Sequence, residues 1–251
     1  MHRPRTVFAV LVLIVMSVLC GTVVSLLAIV DRKAALWWPI SRLWAWSVVK
    51  SCGLQRFEVR GAERLATGHG AIVMSNHESY MDPPALMLLS PVPIRFLAKH
   101  TLFWFPVFGW AMAAMGMVPV NRGQQQKAFA SIDRAAEGIR GGKVVLVFPE
   151  GRRADFAEAE LLPFKKGAFV MAARAHVPII PVGVAGSRHI LPKGWSWVYD
   201  HDVAVVLGEP IDTSAFDVES KDALMALVRE RIEAVRAEAH EVLAELQSRP
   251  S

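Results

Sequence analysis

Two hydrophobic rhythms divide this chain. From Val7 to Val30 no charged residue interrupts the apolar run. That is about 24 residues, or about 36 Å of helix, against about 30 Å of hydrocarbon in a bilayer. His2, Arg3 and Arg5 precede the run, and Asp31, Arg32 and Lys33 follow it. The apolar core of a cleaved signal peptide is shorter, about 7–15 residues, so the pattern predicts an uncleaved anchor. A second stretch, Ala35 to Val49, carries Trp37, Trp38, Trp44 and Trp46, with Pro39 as an expected bend and Ser41, Arg42 and Lys50 as polar breaks. Tryptophans beside basic residues suit the headgroup region, so an interfacial helix is expected there. Basic residues at both ends of the first run leave its orientation undecided, a pattern that fits two segments entering and leaving one leaflet.

After about residue 55 the rhythm changes to short β-type runs alternating with helical ones. Strands are expected at Ala71–Met74, Ile94–Leu97, Met117–Val120, Val144–Phe148, Ile179–Val184 and Val203–Leu207. Helices are expected at Pro83–Leu89, Leu102–Met115, Gln124–Arg140 and Phe164–Ala175. Several strands are nearly all apolar, as strands covered on both faces are. The expected class is α/β, a mixed, mostly parallel sheet flanked by helices and preceded by N-terminal membrane helices. Lys221 to Leu246 reads as a long amphipathic closing helix with Ser220 as its N-cap. The chain thus divides into a membrane anchor, residues 1–52, and one catalytic-type domain, residues 53–251.

Composition sharpens this picture in three ways. The hydrophobic fraction is 53% and the excess sits at the front. A net charge of +5 suits anionic lipid or a phosphorylated substrate. Nucleic acid is not expected as a partner, because no basic run interleaved with aromatics follows residue 50. Cys20 and Cys52 are the only cysteines, too few for a disulfide framework or a thiolate metal site. His189 and His201 stand apart from other ligand types, so no metal site is expected.

The chemistry concentrates in Ser75-Asn76-His77-Glu78-Ser79-Tyr80-Met81-Asp82-Pro83-Pro84. A histidine held by a carboxylate is the common route to a general base near neutral pH. Five positions apart, the two side chains diverge on a straight helix, so the chain must turn between them. Asp82 before Pro83 reads as a helix N-cap with proline at the first helical position, leaving Glu78 to Met81 outside the helix. A second block, Phe148-Pro149-Glu150-Gly151-Arg152-Arg153, ends the strand at Val144: glycine admits close approach of a ligand, and arginine clamps phosphate. Gly116 to Arg122 is a strand that delivers an arginine to its end. Val177-Pro178-Ile179-Ile180-Pro181-Val182 has no titratable group and reads as a buried strand bracketed by prolines.

In this order and at these intervals, the four blocks resemble the glycerolipid acyltransferase family, whose best-known members are 1-acylglycerol-3-phosphate acyltransferases. The family's Asn-His-x-Ser-x-x-Asp is matched by Asn76, His77, Ser79 and Asp82. Its glycine-led strand ending in arginine is matched by Gly116 and Arg122. Its Phe-Pro-Glu-Gly-Thr-Arg is matched at Phe148, Pro149, Glu150, Gly151 and Arg153, and its Val-Pro-Ile-x-Pro-Val across Val177 to Val182. Pro163-Phe164-Lys165-Lys166-Gly167 also looks like the family's stretch after the third block.

The resemblance covers residues 55 to 210 and implies His77 and Asp82 as the catalytic pair. It implies a glycerol phosphate seat at Arg122, Glu150, Gly151 and Arg153, with Lys165 and Arg152 as helpers. Asn76, Ser79 and Gly116 are further substrate-binding candidates. The implied reaction moves an acyl group from acyl-CoA or acyl carrier protein to the sn-2 hydroxyl of 1-acylglycerol-3-phosphate, giving phosphatidic acid without a cofactor. The implied location is the cytoplasmic membrane, with the catalytic domain on its cytoplasmic side.

Arg152 stands where the family usually has threonine, which leaves another lysolipid acceptor open, a lyso-ornithine lipid or a lysophospholipid. A non-catalytic lipid-binding protein is the remaining alternative. A serine hydrolase is disfavoured, because Gly186-Ser187 lacks the bracketing of a nucleophile elbow. A P-loop is excluded by the interval from Gly138 to Lys143 and by Val144 in place of Ser or Thr.

Overall fold

The computed structural model describes residues 2–31, 34–66, 68–120, 135–156, 158, 160–194 and 197–249. Two helices lead: α1 (His2–Val30) and α2 (Trp37–Cys52). Asp31 shapes the turn between them, its carboxylate accepting from the backbone N–H of Leu36 at 2.6 Å. Pro39 lies in the first turn of α2, where its missing N–H costs nothing, so the expected bend does not occur.

The sheet has seven strands: β1 (Leu54–Arg60), β2 (Ala71–Ser75), β3 (Ile94–Lys99), β4 (Val118–Val120), β5 (Val144–Val147), β6 (Ile179–Ala185) and β7 (His201–Leu207). Their order is β1-β7-β6-β2-β5-β3-β4. All neighbouring pairs are parallel except β6 with β7. This is the mixed, mostly parallel sheet that the apolar runs imply. β1 is the strand the hydrophobic pattern does not reveal. It is an edge strand carrying Arg56, Glu58 and Arg60, the charged dressing that keeps an exposed edge from pairing with other chains.

Successive residues of a strand face opposite sides, and the two cores divide accordingly. Ala71, Val73, Val144, Leu146, Ile180 and Val182 face α2, α3 (Asp82–Leu89) and α4 (Phe108–Ala114). Ile72, Met74, Val145, Val147 and Ile179 face α5 (described over 135–140), α6 (Gly167–Ala175) and α8 (Lys221–Ser248). The short α7 (Ser187–Ile190) follows β6. Gly183 lets α8 lie close on β6, since a Cβ there would collide with the backbone of Val235.

Two expectations need correction. Trp37 and Trp38, expected among headgroups, are 3% and 5% exposed and belong to the sheet's core. α2 therefore packs as part of the α/β domain, and residue 52 is not a packing boundary. The expected helix Leu102–Met115 is instead a 3-10 turn at His100–Trp104 followed by α4. Pro106 is the cause, since it lacks an N–H and holds Phe105 in extended backbone.

Candidate active site

Ligands of parallel sheets bind beyond the carboxyl ends of the strands. Here the central strands β2 and β5 deliver the first and second sequence blocks to that edge, side by side. Immediately past β2, the chain curls around one oxygen. Asp82 Oδ2 accepts from the backbone N–H of Glu78 at 2.7 Å and of Ser79 at 2.9 Å, and lies 2.7 Å from His77 Nδ1. Asp82 is fully buried. Oδ2 already accepts from two backbone N–H groups, so in the third contact His77 Nδ1 is the donor and Nε2 is the ring nitrogen left without a proton. Asp82 is thus the first residue of α3, and its carboxylate turns back into the preceding loop instead of capping the helix forward.

Phe148, from the end of β5, stacks on the imidazole at 4.0 Å between centroids and 17° between planes. It fixes the ring's plane while leaving its edge open; the His77 side chain is 15% exposed. On the other side of the loop, Glu150 accepts from the His77 N–H at 2.7 Å and from the Leu162 N–H at 2.9 Å. Burial pushes the Glu150 carboxyl above its ordinary range, partly offset by those two N–H groups. A buried carboxyl engaged in this way braces the loop and has no oxygen turned to a phosphate, so the expected substrate role of Glu150 is corrected.

Asn76 and Ser79 have structural work as well. The Asn76 amide exchanges two hydrogen bonds with the backbone of Val184, at 2.9 and 2.8 Å, splicing the end of β2 onto β6. Ser79 Oγ donates to the Leu191 carbonyl at 3.1 Å and accepts from the Met81 N–H at 3.2 Å. Both residues are buried, so neither is a substrate ligand. Gly116 closes α4 with φ +78° and turns the chain into β4. Arg122 lies outside the described residues.

The remaining cations separate cleanly. Arg152 is taken by Glu158 at 2.7 Å and Asp155 at 3.4 Å, which corrects its expected role as a phosphate helper. Arg153 stacks on the Tyr80 ring at 3.4 Å, and among the described residues no carboxylate neutralises it. Lys165 is exposed and lies over Gly151, whose φ of +71° would strain any other residue. Arg153 and Lys165 are therefore the described cations beside the dyad that are available to an anion.

Sequence reasoning missed Glu78, Arg188 and Arg236. Glu78 is 2% exposed, and its carboxylate is held by Arg188 Nε and Nη2, both at 2.9 Å, and by Arg236 Nη2 at 3.3 Å. The one available signal was a charged residue flanked by His77 and Ser79; its partners lie 110 and 158 positions away.

Comparison with known proteins places the chain among acyltransferases. Residues 56–185 match the family model described as Acyltransferase. The chain is 34% identical over 186 residues to a chloroplastic 1-acyl-sn-glycerol-3-phosphate acyltransferase of Brassica napus, covering 73% of this chain and 53% of that one. It is 33% identical over 171 residues to the human 1-acyl-sn-glycerol-3-phosphate acyltransferase beta, covering 68% and 61%. The chain spans about half the length of the plant relative. The crystal structure of the 1-acyl-sn-glycerophosphate acyltransferase PlsC from Thermotoga maritima has the same fold, with a TM-score of 0.77 at 24% identity over 98% of this chain and 96% of that one. With the motif-bearing half of its length inside the family model and its histidine and aspartate joined at the strand ends, the chain belongs to the acyltransferase family.

Proposed function

We propose that this protein transfers an acyl group from a thioester, acyl-CoA or acyl carrier protein, to the sn-2 hydroxyl of 1-acylglycerol-3-phosphate, giving phosphatidic acid. The observation that carries the reading is the His77–Asp82 contact of 2.7 Å, with the Asp82 carboxylate fully buried and the imidazole edge open. His77 Nε2 takes the acceptor's hydroxyl proton as that oxygen attacks the thioester carbonyl. Asp82 stabilises the imidazolium that forms. Collapse of the tetrahedral adduct breaks the C–S bond, and the imidazolium returns its proton to the departing thiolate. A thioester is already activated, so no protein nucleophile is needed. General-base help of this kind contributes about 10²–10⁴-fold, and the remainder comes from holding the two substrates together.

Arg153 and Lys165 are the described cations placed to receive the acceptor's phosphate. The pairing of Arg152 with Glu158 at 2.7 Å supports a glycerol phosphate acceptor over another headgroup. α1 supports a membrane setting: Arg3–Val30 is long and apolar enough to cross a bilayer, its most apolar 18 residues having a mean hydropathy of 2.9. The cytoplasmic membrane, with the domain on its cytoplasmic side, is the proposed location.

The test offers purified protein in mixed micelles one labelled thioester, as coenzyme A or carrier-protein conjugate, with a panel of lysolipids. Mass spectrometry should show phosphatidic acid as the main product. Folded protein that acylates none of the lysolipids would overturn the reading, and preferential acylation of a zwitterionic acceptor would move the headgroup assignment.

A further inference from the structure

We infer that Arg236 on α8, together with Arg188 on α7, positions the catalytic dyad through Glu78. This inference rests on the acyl-transfer reading. The loop has an exposed weakness. Among the described residues Asp82 Oδ1 has no hydrogen-bond partner, so the hydrogen bonds that orient the carboxylate all converge on Oδ2. Two of those three contacts are backbone N–H groups, of Glu78 and Ser79. Whatever fixes Glu78 therefore fixes Asp82, and through it the His77 ring.

What fixes Glu78 is a buried ion triad. Its side chain meets Arg188 and Arg236, whose side chains are only 14% and 15% exposed. A buried ion pair is a poor device for stability alone, since apolar residues of similar size often do as well. It is a good device for fixing geometry, because the carboxylate can satisfy both guanidinium groups in few positions. Arg188 adds a tie from the same guanidinium to the carbonyl of Glu158 at 3.3 Å.

α8 braces the other side of the loop as well. Two turns before Arg236, Arg229 donates to the carbonyls of Leu162 and Leu161 at 3.0 and 2.9 Å. Leu162 in turn donates its N–H to Glu150, which holds the His77 N–H. One helix face thus supports both buried carboxylates that flank the histidine. Arg188, Arg229 and Arg236 all lie beyond residues 56–185, the part that matches the family model. The brace is a feature of this chain's closing segment.

The experiment uses the full-length enzyme with Arg236→Met, Arg236→Lys, Asp82→Asn and the double variant Asp82→Asn/Arg236→Met, assayed well below the measured Tm of each. Arg236→Met should lower kcat about tenfold, because misplacement of reacting groups by about 1 Å costs up to about 10²-fold. KM for donor and acceptor should stay within about twofold, since Arg236 touches neither, and Arg236→Lys should recover most of kcat. In the Asp82→Asn background, Arg236→Met should have almost no further effect, because the brace acts only through that carboxylate. An unchanged kcat in Arg236→Met would overturn the proposal. So would a raised KM at constant kcat, or losses that multiply in the double variant. Wild-type protein that acylates no lysolipid would instead overturn the underlying reading, and this inference with it.

Discussion

At the scale of single residues, the site consists of one half-buried imidazole and several buried carboxylates. Asp82 and Glu150 both hold backbone N–H groups of the 77–79 loop, but only Asp82 also touches the imidazole. Replacing His77 with alanine should remove the base and leave the loop's backbone bonds intact. Turnover should fall by about 10²–10⁴-fold, with Tm and far-UV circular dichroism unchanged; wild-type-like rates would remove His77 from the reaction.

Glu150 gives a prediction of the opposite kind, about stability. Burial raises its folded pKa above the unfolded value near 4.3. Folding therefore favours its protonated form, and this contribution is complete below about pH 4 and lost as pH rises through the raised value. Comparing Tm from pH 4 to 7, Glu150→Gln should gain on the wild type as pH increases. Parallel curves would show that Glu150 titrates normally. The dyad was legible because its partners are five positions apart and the proline pair after Asp82 marks where α3 begins, leaving the residues between them outside the helix. Glu78 was not, because a loop glutamate looks solvated until distant arginines close over it.

At the scale of elements, local pattern was informative wherever both faces of a strand are buried. β2, β5 and β6 read directly as apolar runs. β1 did not, since an edge strand dressed with charge resembles a polar linker. α8 read correctly as amphipathic, and its apolar stripe, Leu224, Val228 and Ile232, is fully buried in the core it shares with β6 and α6. What the stripe could not show is that the neighbouring face carries Arg229 and Arg236 into the catalytic loops. The two faces can be separated by mutation. Ile232→Ala should cost about 2–5 kcal/mol through the cavity it leaves, read as a lowered Tm in detergent. The kcat of its folded fraction should stay near wild type, in contrast with Arg236→Met. A fall in kcat at full folding would mean that α8 transmits packing to the dyad as well as charge.

At the scale of the whole molecule, the question is how α1 meets the bilayer. Length and hydropathy alone allow it to cross. Its contacts favour lying along the domain. Near its start, Arg5 pairs with Asp200, Thr6 Oγ1 accepts from the Val198 N–H at 3.1 Å, and Arg3 lies over the Trp197 ring. Farther along, Ser17 accepts from the Trp44 indole of α2 at 3.0 Å, and Gly21 packs beside Val107 and Ala111 at α4. The opposite side exposes Phe8, Leu11, Ile14, Val15 and Leu26, each more than half open. Trp104, Phe105 and Trp110, at 73%, 60% and 63% exposure, add to the apolar surface at the 3-10 turn and at α4, the helix against which α1 packs. A helix anchored to the domain at both ends cannot carry one end across a membrane without breaking those contacts. Both ends should therefore face the same side. In a Cys20→Ser/Cys52→Ser background, single cysteines at Pro4 and Leu36 are both at exposed positions. In sealed vesicles with the domain outward, an impermeant maleimide should label both without detergent. Labelling of only one until the vesicles are opened would show that α1 crosses, and the active site would then be tethered to the surface and not set into one leaflet beside its lipid acceptor.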